Sequence, residues 1–179
     1  MQGMEYTLSL WMKRAGCALG AALLALPAPA AQEWEAQVRR VVDGDTIWVT
    51  RDKGDGKGER NVKLRLRGID APEMCQDGGE AARRALQQLA KKGQRVQVRV
   101  IARDQYGRSV ADVWREGDGE NLAARMVEDG WAWSGASRRR PGRYAAQQKA
   151  AQSARRGVFA DGGALHPTQF RRQHGPCQR

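Results

Sequence analysis

The densest set of residues able to do chemistry is Asp43, Asp45, Arg65, Asp70, Glu73 and Arg108. Asp43 and Asp45 flank Gly44 at a turn, and Asp70 and Glu73 flank Ala71-Pro72. Clustered carboxylates on turns suit a hard divalent cation, whose preferred ligands are carboxylate and backbone oxygens. In so basic a chain, two or three such carboxylates also need a compensating positive centre, which a metal supplies. Arginine favours phosphate, because its planar fork bonds two oxygens at once. Arg65 and Arg108 facing such a site would make a phosphoryl-transfer centre: metal and guanidinium stabilise charge, and one carboxylate activates water. Each residue also has an ordinary reading. Asp-Gly and Asp-x-Pro are common turn formers, Arg65 shares a strand face with Lys63 and Arg67, and Tyr106-Gly107-Arg108 is a credible hairpin. Only the combination points to chemistry.

Charge and composition agree with a polyanionic partner. The 179 residues hold 31 Lys and Arg against 20 Asp and Glu, a net charge of +11, too large for a neutral surface. The two histidines, His166 and His174, stand near the C-terminus, which argues against Ser/His/Asp or Cys/His catalysis and against a Cys/His zinc site. Acid–base chemistry then falls to carboxylates, Arg or metal-bound water. The length allows one domain or a small pair.

Residues 1–30 read as a secretory signal peptide: Lys13-Arg14, an apolar run from Ala15 to Leu26, then Ala28-Pro29-Ala30 as a small-x-small cleavage site. That run would span about 18 Å as a helix, too short for a bilayer. The alternative is an uncleaved tether. Removing the leader takes Glu5, Lys13 and Arg14, one net positive charge, so the basic excess belongs to the working domain. Export leaves Cys75 and Cys177 as an even pair in an oxidising compartment, a candidate disulfide pinning the C-terminal tail to the body. The alternative is two unrelated thiols.

These groups need a scaffold, and the periodicity supplies one. Strand-like residues surround Asp43-Gly44-Asp45, a hairpin signal. The glycine-rich stretch from Arg51 to Arg60 fails the calcium-loop pattern, since Gly54 and Gly56 replace oxygen ligands, and reads as a hairpin loop. Val62, Leu64 and Leu66 alternate with Lys63, Arg65 and Arg67, a half-buried strand with a cationic face. A helix is predicted from Glu80 to Lys92, strands at Val96–Val100 and Val110–Trp114, and helices at Asn121–Asp129 and Arg143–Arg156. Five strands and three helices make a single α+β domain over 31–160, with 161–179 a basic, poorly ordered tail.

Val42-Asp43-Gly44-Asp45-Thr46-Ile47, then Leu64-Arg65-Leu66-Arg67-Gly68-Ile69-Asp70-Ala71-Pro72-Glu73, then Asp104-Gln105-Tyr106-Gly107-Arg108 resemble, in that order, the staphylococcal nuclease (thermonuclease) family. Asn121-Leu122, Gly130 and the closing helix to Arg155-Arg156-Gly157-Val158 support the resemblance, which covers about residues 36–160. It implies a five-stranded OB-fold barrel with three helices and calcium-dependent hydrolysis of DNA and RNA to 3′-phosphate ends. By motif position, Asp45, Asp70 and the Ala71 backbone carbonyl look like calcium ligands, with Asp43 orienting them from behind. Glu73 looks like the general base, and Arg65 and Arg108 like the phosphate-binding pair.

The chain departs from the type member at Ala71, where a Thr stands there, and at Gln105, where a Lys stands. The family's base-stacking tyrosines are also missing from Ser134 to Arg140. Tyr106 remains a candidate substrate contact, and Trp133 and Tyr144 are either substitutes for those tyrosines or core residues. Arg138, Arg139 and Arg140 are either a phosphate-attracting run or a solvated loop. The expectation is an exported monomeric nuclease, periplasmic or secreted, with no stable membrane association after cleavage. The rival is an OB-fold that binds nucleic acid without cutting it, and the presence of Arg65, Glu73 and Arg108 together favours the enzyme.

Overall fold

In the computed structural model, five strands close into a barrel in the order β1-β2-β3-β6-β5. They are β1 (Gln32–Asp43), β2 (Thr46–Asp52), β3 (Glu59–Leu66), β5 (Arg95–Arg103) and β6 (Ser109–Arg115). The structure describes residues 32–52, 58–135, 140–160 and 164–177, and the leader lies outside them. Among the described residues no helix is long and apolar enough to cross a membrane.

The alternation read from the sequence builds the barrel interior. Ile47, Val49, Leu64, Leu66, Val96, Val98, Ala111 and Val113 are buried, while the residues between them face outward. Two register shifts in β1, between Val38 and Arg40 and between Val41 and Asp43, change the phase of that strand. Val38 and Val41 can therefore both point inward although three residues apart.

The β1–β2 turn is wedged against the rest of the molecule. A Cβ on Gly44 would lie 2.6 Å from the Ala71 Cβ and 2.8 Å from the Ala82 Cβ, so only glycine fits. Ala82 belongs to α1 (Gly79–Leu89), whose Ala82 and Leu86 are buried against the barrel. The loop before α1 folds onto itself, Gln76 N–H donating to the Glu73 carbonyl (2.9 Å) and Gly79 N–H to the Gln76 carbonyl (2.9 Å). Gly79 is needed there too, because a Cβ would meet the Glu73 carbonyl oxygen at 2.0 Å.

Several elements differ from expectation. A two-residue strand β4 (Ile69–Asp70) pairs with β7 (Trp133–Ser134), Asp70 opposite Trp133. Helix α2 (Leu122–Glu128) is capped by Asn121, whose Oδ1 accepts from Ala124 N–H at 3.0 Å. Helix α3 (Ala145–Ser153) is shorter than predicted, and Arg155 takes a left-handed φ of 50° just beyond it. The barrel is as expected, but four helices rather than three are seen among the described residues. The fourth, α4 (Pro167–His174), lies in the segment expected to be poorly ordered. Its composition is polar, and its order comes from cross-links: Cys177 is bonded to Cys75 (Cα–Cα 5.7 Å), and the Gln76 side-chain amide donates to the Leu165 carbonyl.

Candidate active site

The turn at 43–45 aims two carboxylates. Asp45 N–H donates to Asp43 Oδ1 at 3.0 Å, closing a side-chain turn. The Asp45 carboxylate is buried and fully engaged: Oδ1 accepts from Thr46 Oγ1 (2.9 Å) and Arg65 Nη1 (2.6 Å), and Oδ2 accepts from Ala71 N–H (3.1 Å). Burial and the neighbouring Asp45 charge push the Asp43 carboxyl up to about 7.

Arg65 stands on the outward face of β3 because Leu64 and Leu66 take the inward one. Its guanidinium joins two segments, with Nη1 on Asp45 and Nη2 on Asp70 Oδ1 (3.0 Å) and the Ile69 carbonyl (3.3 Å). Burial works against its charge, but Asp45 and Asp70 outweigh that and push its pKa up. Asp70 is positioned by the β4–β7 pairing, and Glu73 by the turn that leads into α1.

A third arginine, outside the sequence motifs, completes the cluster. Arg171 of α4 places Nη1 2.6 Å from Glu73 Oε1 and Nη2 2.9 Å from Asp70 Oδ2. One signal for it was in the sequence. Cys75 follows Glu73 by two positions, so a bond to Cys177 brings the tail's cations to the site.

The remaining candidates lie elsewhere. Arg108 precedes β6, whose Ser109 pairs in parallel with Leu64, so it starts the strand next to Arg65. Its Nε is held by Asp104 Oδ2 at 2.6 Å, and its Cζ lies 5.4 Å from the Tyr106 ring. Among the described contacts it touches none of the four carboxylates. Tyr106 is open to solvent at 74% exposure. Trp133 and Tyr144 are core residues here, each 6% exposed. Trp133 packs edge-on against Phe159 at 5.3 Å, and the Tyr144 hydroxyl donates to Asn121 Oδ1 at 3.3 Å. Neither ring presents a face on which a base could stack, because helix packing has claimed both. Arg140 is exposed, and Arg138 and Arg139 lie outside the described residues.

The arrangement offers four carboxylates and two guanidiniums that each bridge a pair of them, Arg65 on Asp45 and Asp70 and Arg171 on Asp70 and Glu73. That combination suits a phosphodiester and an oxygen-seeking cation. Comparison with known proteins agrees with this reading. A family model described as staphylococcal nuclease homologue matches residues 63–161. Protein ParB of Escherichia coli is 36% identical over 174 residues, covering 90% of this chain and 92% of that protein. The micrococcal nuclease of Shigella flexneri is 32% identical over 161 residues, covering 85% and 88%. An uncharacterized endonuclease of Haemophilus influenzae is 31% identical over 137 residues, covering 76% and 72%. With a family model over residues 63–161 and relatives more than 30% identical along most of its length, the chain belongs to the staphylococcal nuclease homologue family.

Proposed function

We propose that this nuclease, a phosphodiester hydrolase by family, is calcium-dependent and cuts DNA and RNA with little sequence preference, leaving 3′-phosphate ends. The observation that carries the calcium reading is charge balance. Asp45, Asp70 and Glu73 share the guanidiniums of Arg65 and Arg171, and Asp43 is met only by the Asp45 backbone N–H, which leaves the cluster short of positive charge. Among the described residues no group of three or more His, Cys, Asp or Glu side chains is arranged to hold an ion. Asp45 and Asp70 nevertheless converge on one cationic centre, the Arg65 guanidinium. Two carboxylates with the Ala71 carbonyl form an all-oxygen, incomplete donor set, which fits a hard cation that completes its shell with water and phosphate. When bound, the ion would supply Lewis-acid stabilisation of charge on the phosphate.

The chain's own residues do the rest. Asp43 orients the Asp45 turn. Glu73 accepts a proton from water as it attacks phosphorus, and Arg65 and Arg108 bind the phosphate oxygens on which charge grows. Cleavage of the bond from phosphorus to the 5′ oxygen leaves the phosphate on the 3′ side, and the departing 5′ oxygen takes a proton from solvent to become a hydroxyl. The basic surface draws the polyanion in regardless of sequence, and Tyr106 and Arg140 are open to contact it. Residues 1–30 serve as an export signal, and the Cys75–Cys177 bond supports an oxidising destination, periplasmic or extracellular, where the protein acts as a monomer.

The test is a digest of single-stranded DNA and of RNA with calcium, magnesium or excess chelator, followed by phosphatase analysis of the ends. Cleavage with calcium and phosphatase-sensitive 3′ ends are expected. Full activity in chelator would overturn the metal assignment.

A further inference from the structure

Helix α4 is built to deliver a cation to the carboxylates. Arg171 meets Asp70 in a two-pronged contact, Nη1 to Oδ1 at 3.3 Å and Nη2 to Oδ2 at 2.9 Å, while Nη1 also lies 2.6 Å from Glu73 Oε1. Thr168 Oγ1, one helical turn earlier, donates to Asp70 Oδ2 at 3.3 Å and accepts from Arg171 Nη2 at 3.2 Å. With Arg65 on Oδ1, both oxygens of Asp70 are occupied by side-chain donors. The helix is fastened at both ends. At its start the His166 ring packs on Trp133 at 5.3 Å, His166 Nδ1 accepts from Thr168 N–H at 3.2 Å, and Leu165 is held by Gln76. Past its end, Cys177 is bonded to Cys75.

We propose that α4 is a latch on the cation site: Arg171 competes with the divalent cation for Asp70 and withholds Glu73, and the Cys75–Cys177 tether sets how much cation is needed to open it. This rests on the calcium reading above. Arg65 takes Asp70 Oδ1, so Oδ2 is the oxygen an ion would use, and there Arg171 and a divalent ion repel each other and compete. Once Arg171 leaves, Glu73 Oε1 loses the donor that occupies it and is free to meet water. The tether keeps the released arginine close, so its competition acts at a high effective concentration.

The experiment is calorimetric titration of calcium into the oxidised full chain and into R171Q, R171K, C75S/C177S and C75S/C177S/R171Q. Circular dichroism and melting would verify that each is folded. R171Q should bind calcium on the order of tenfold more tightly, and R171K, which lacks the two-pronged fork, by a smaller factor. The serine pair should also bind more tightly, but should add nothing once Arg171 is already replaced. Equal or weaker calcium affinity in R171Q overturns the latch. A serine pair indistinguishable from the parent overturns the role of the tether. Calcium uptake by none of the proteins overturns the calcium reading and the latch together, whereas uptake with an unchanged R171Q overturns the latch alone.

Discussion

Arg65 on β3 and Arg67 in the turn just past its end stand two residues apart and enter clusters of opposite balance. Arg65 goes to the group of Asp43, Asp45, Asp70 and Glu73, where carboxylates outnumber guanidiniums. Arg67 goes to Asp112, a fully buried carboxylate that also holds Arg99 (3.0 Å) and Arg143 (2.9 Å), so that one acid meets three bases. The second cluster is closed. Its buried charge is over-compensated, and it ties β5, β6 and the start of α3 together. The first is open, with a surplus of negative charge that a ligand can answer. Of these two clusters, only the one with carboxylates in excess leaves a place for an added cation.

That contrast can be broken from either side. The largest effect is expected from Glu73→Gln, which should lower phosphodiester cleavage about 10²–10⁴-fold with little change in melting temperature. Loss of folding together with activity would mean that Glu73 is structural. Asp112→Ala should do the reverse. Leaving three part-exposed arginines without their shared partner should cost about 1–3 kcal/mol of stability by urea unfolding, while activity per folded molecule is kept.

A smaller effect concerns pH. The Asp43 carboxyl is pushed up to about 7 from 3.8 by burial and by Asp45, so the folded state holds this proton more tightly than the unfolded chain. Its contribution to stability is full below pH 3.8 and is lost as pH rises through about 7. In chelator, melting temperature should therefore gain from Asp43→Asn at pH 8 but not at pH 3.5, and added calcium should shrink the gain. An equal gain at both pH values would remove Asp43 from the open cluster. The smallest effect is expected from replacing Arg138, Arg139 and Arg140 with Ala. Binding of single-stranded nucleic acid should weaken uniformly across sequences, with the log–log salt slope flattening by about 0.7–0.9 per lost phosphate contact. An unchanged slope would assign that run to solvent.

Much of this was legible in the sequence, for a physical reason. Alternation around Leu64 and Leu66 placed the barrel strand and so the outward Arg65, because a period of two translates directly into faces. The motif spacing likewise kept Asp45, Arg65, Asp70 and Glu73 together. What escaped depends on contacts remote in sequence. A two-residue strand such as β4 has no periodicity to read. Asp112, between the inward Ala111 and Val113, sits where a solvated residue is expected, and its burial comes from three arginines of other segments. Helix α4 did carry local signs, Pro167 at its start and Gly175 at its end, but its polar composition hid what it packs against. Trp133 and Tyr144 could not be assigned between core and substrate until the helices that cover them were placed.

The two register shifts in β1 bear on how this chain can vary over time. Arg39 and Arg40 are both exposed and make only surface contacts, to Asn61 and to the Trp48 ring, so substitutions there should be well tolerated. The number of residues between Val38 and Asp43 is not free to change, because the shifts set which way the following side chains face. Deleting one residue there would turn Asp43 away from the side on which it supports Asp45, although every chemically important residue would still be present. At Arg39 and Arg40 the fold constrains the spacing more tightly than the side chains, so relatives that work the same way are expected to differ at these two positions by substitution rather than by insertion or deletion.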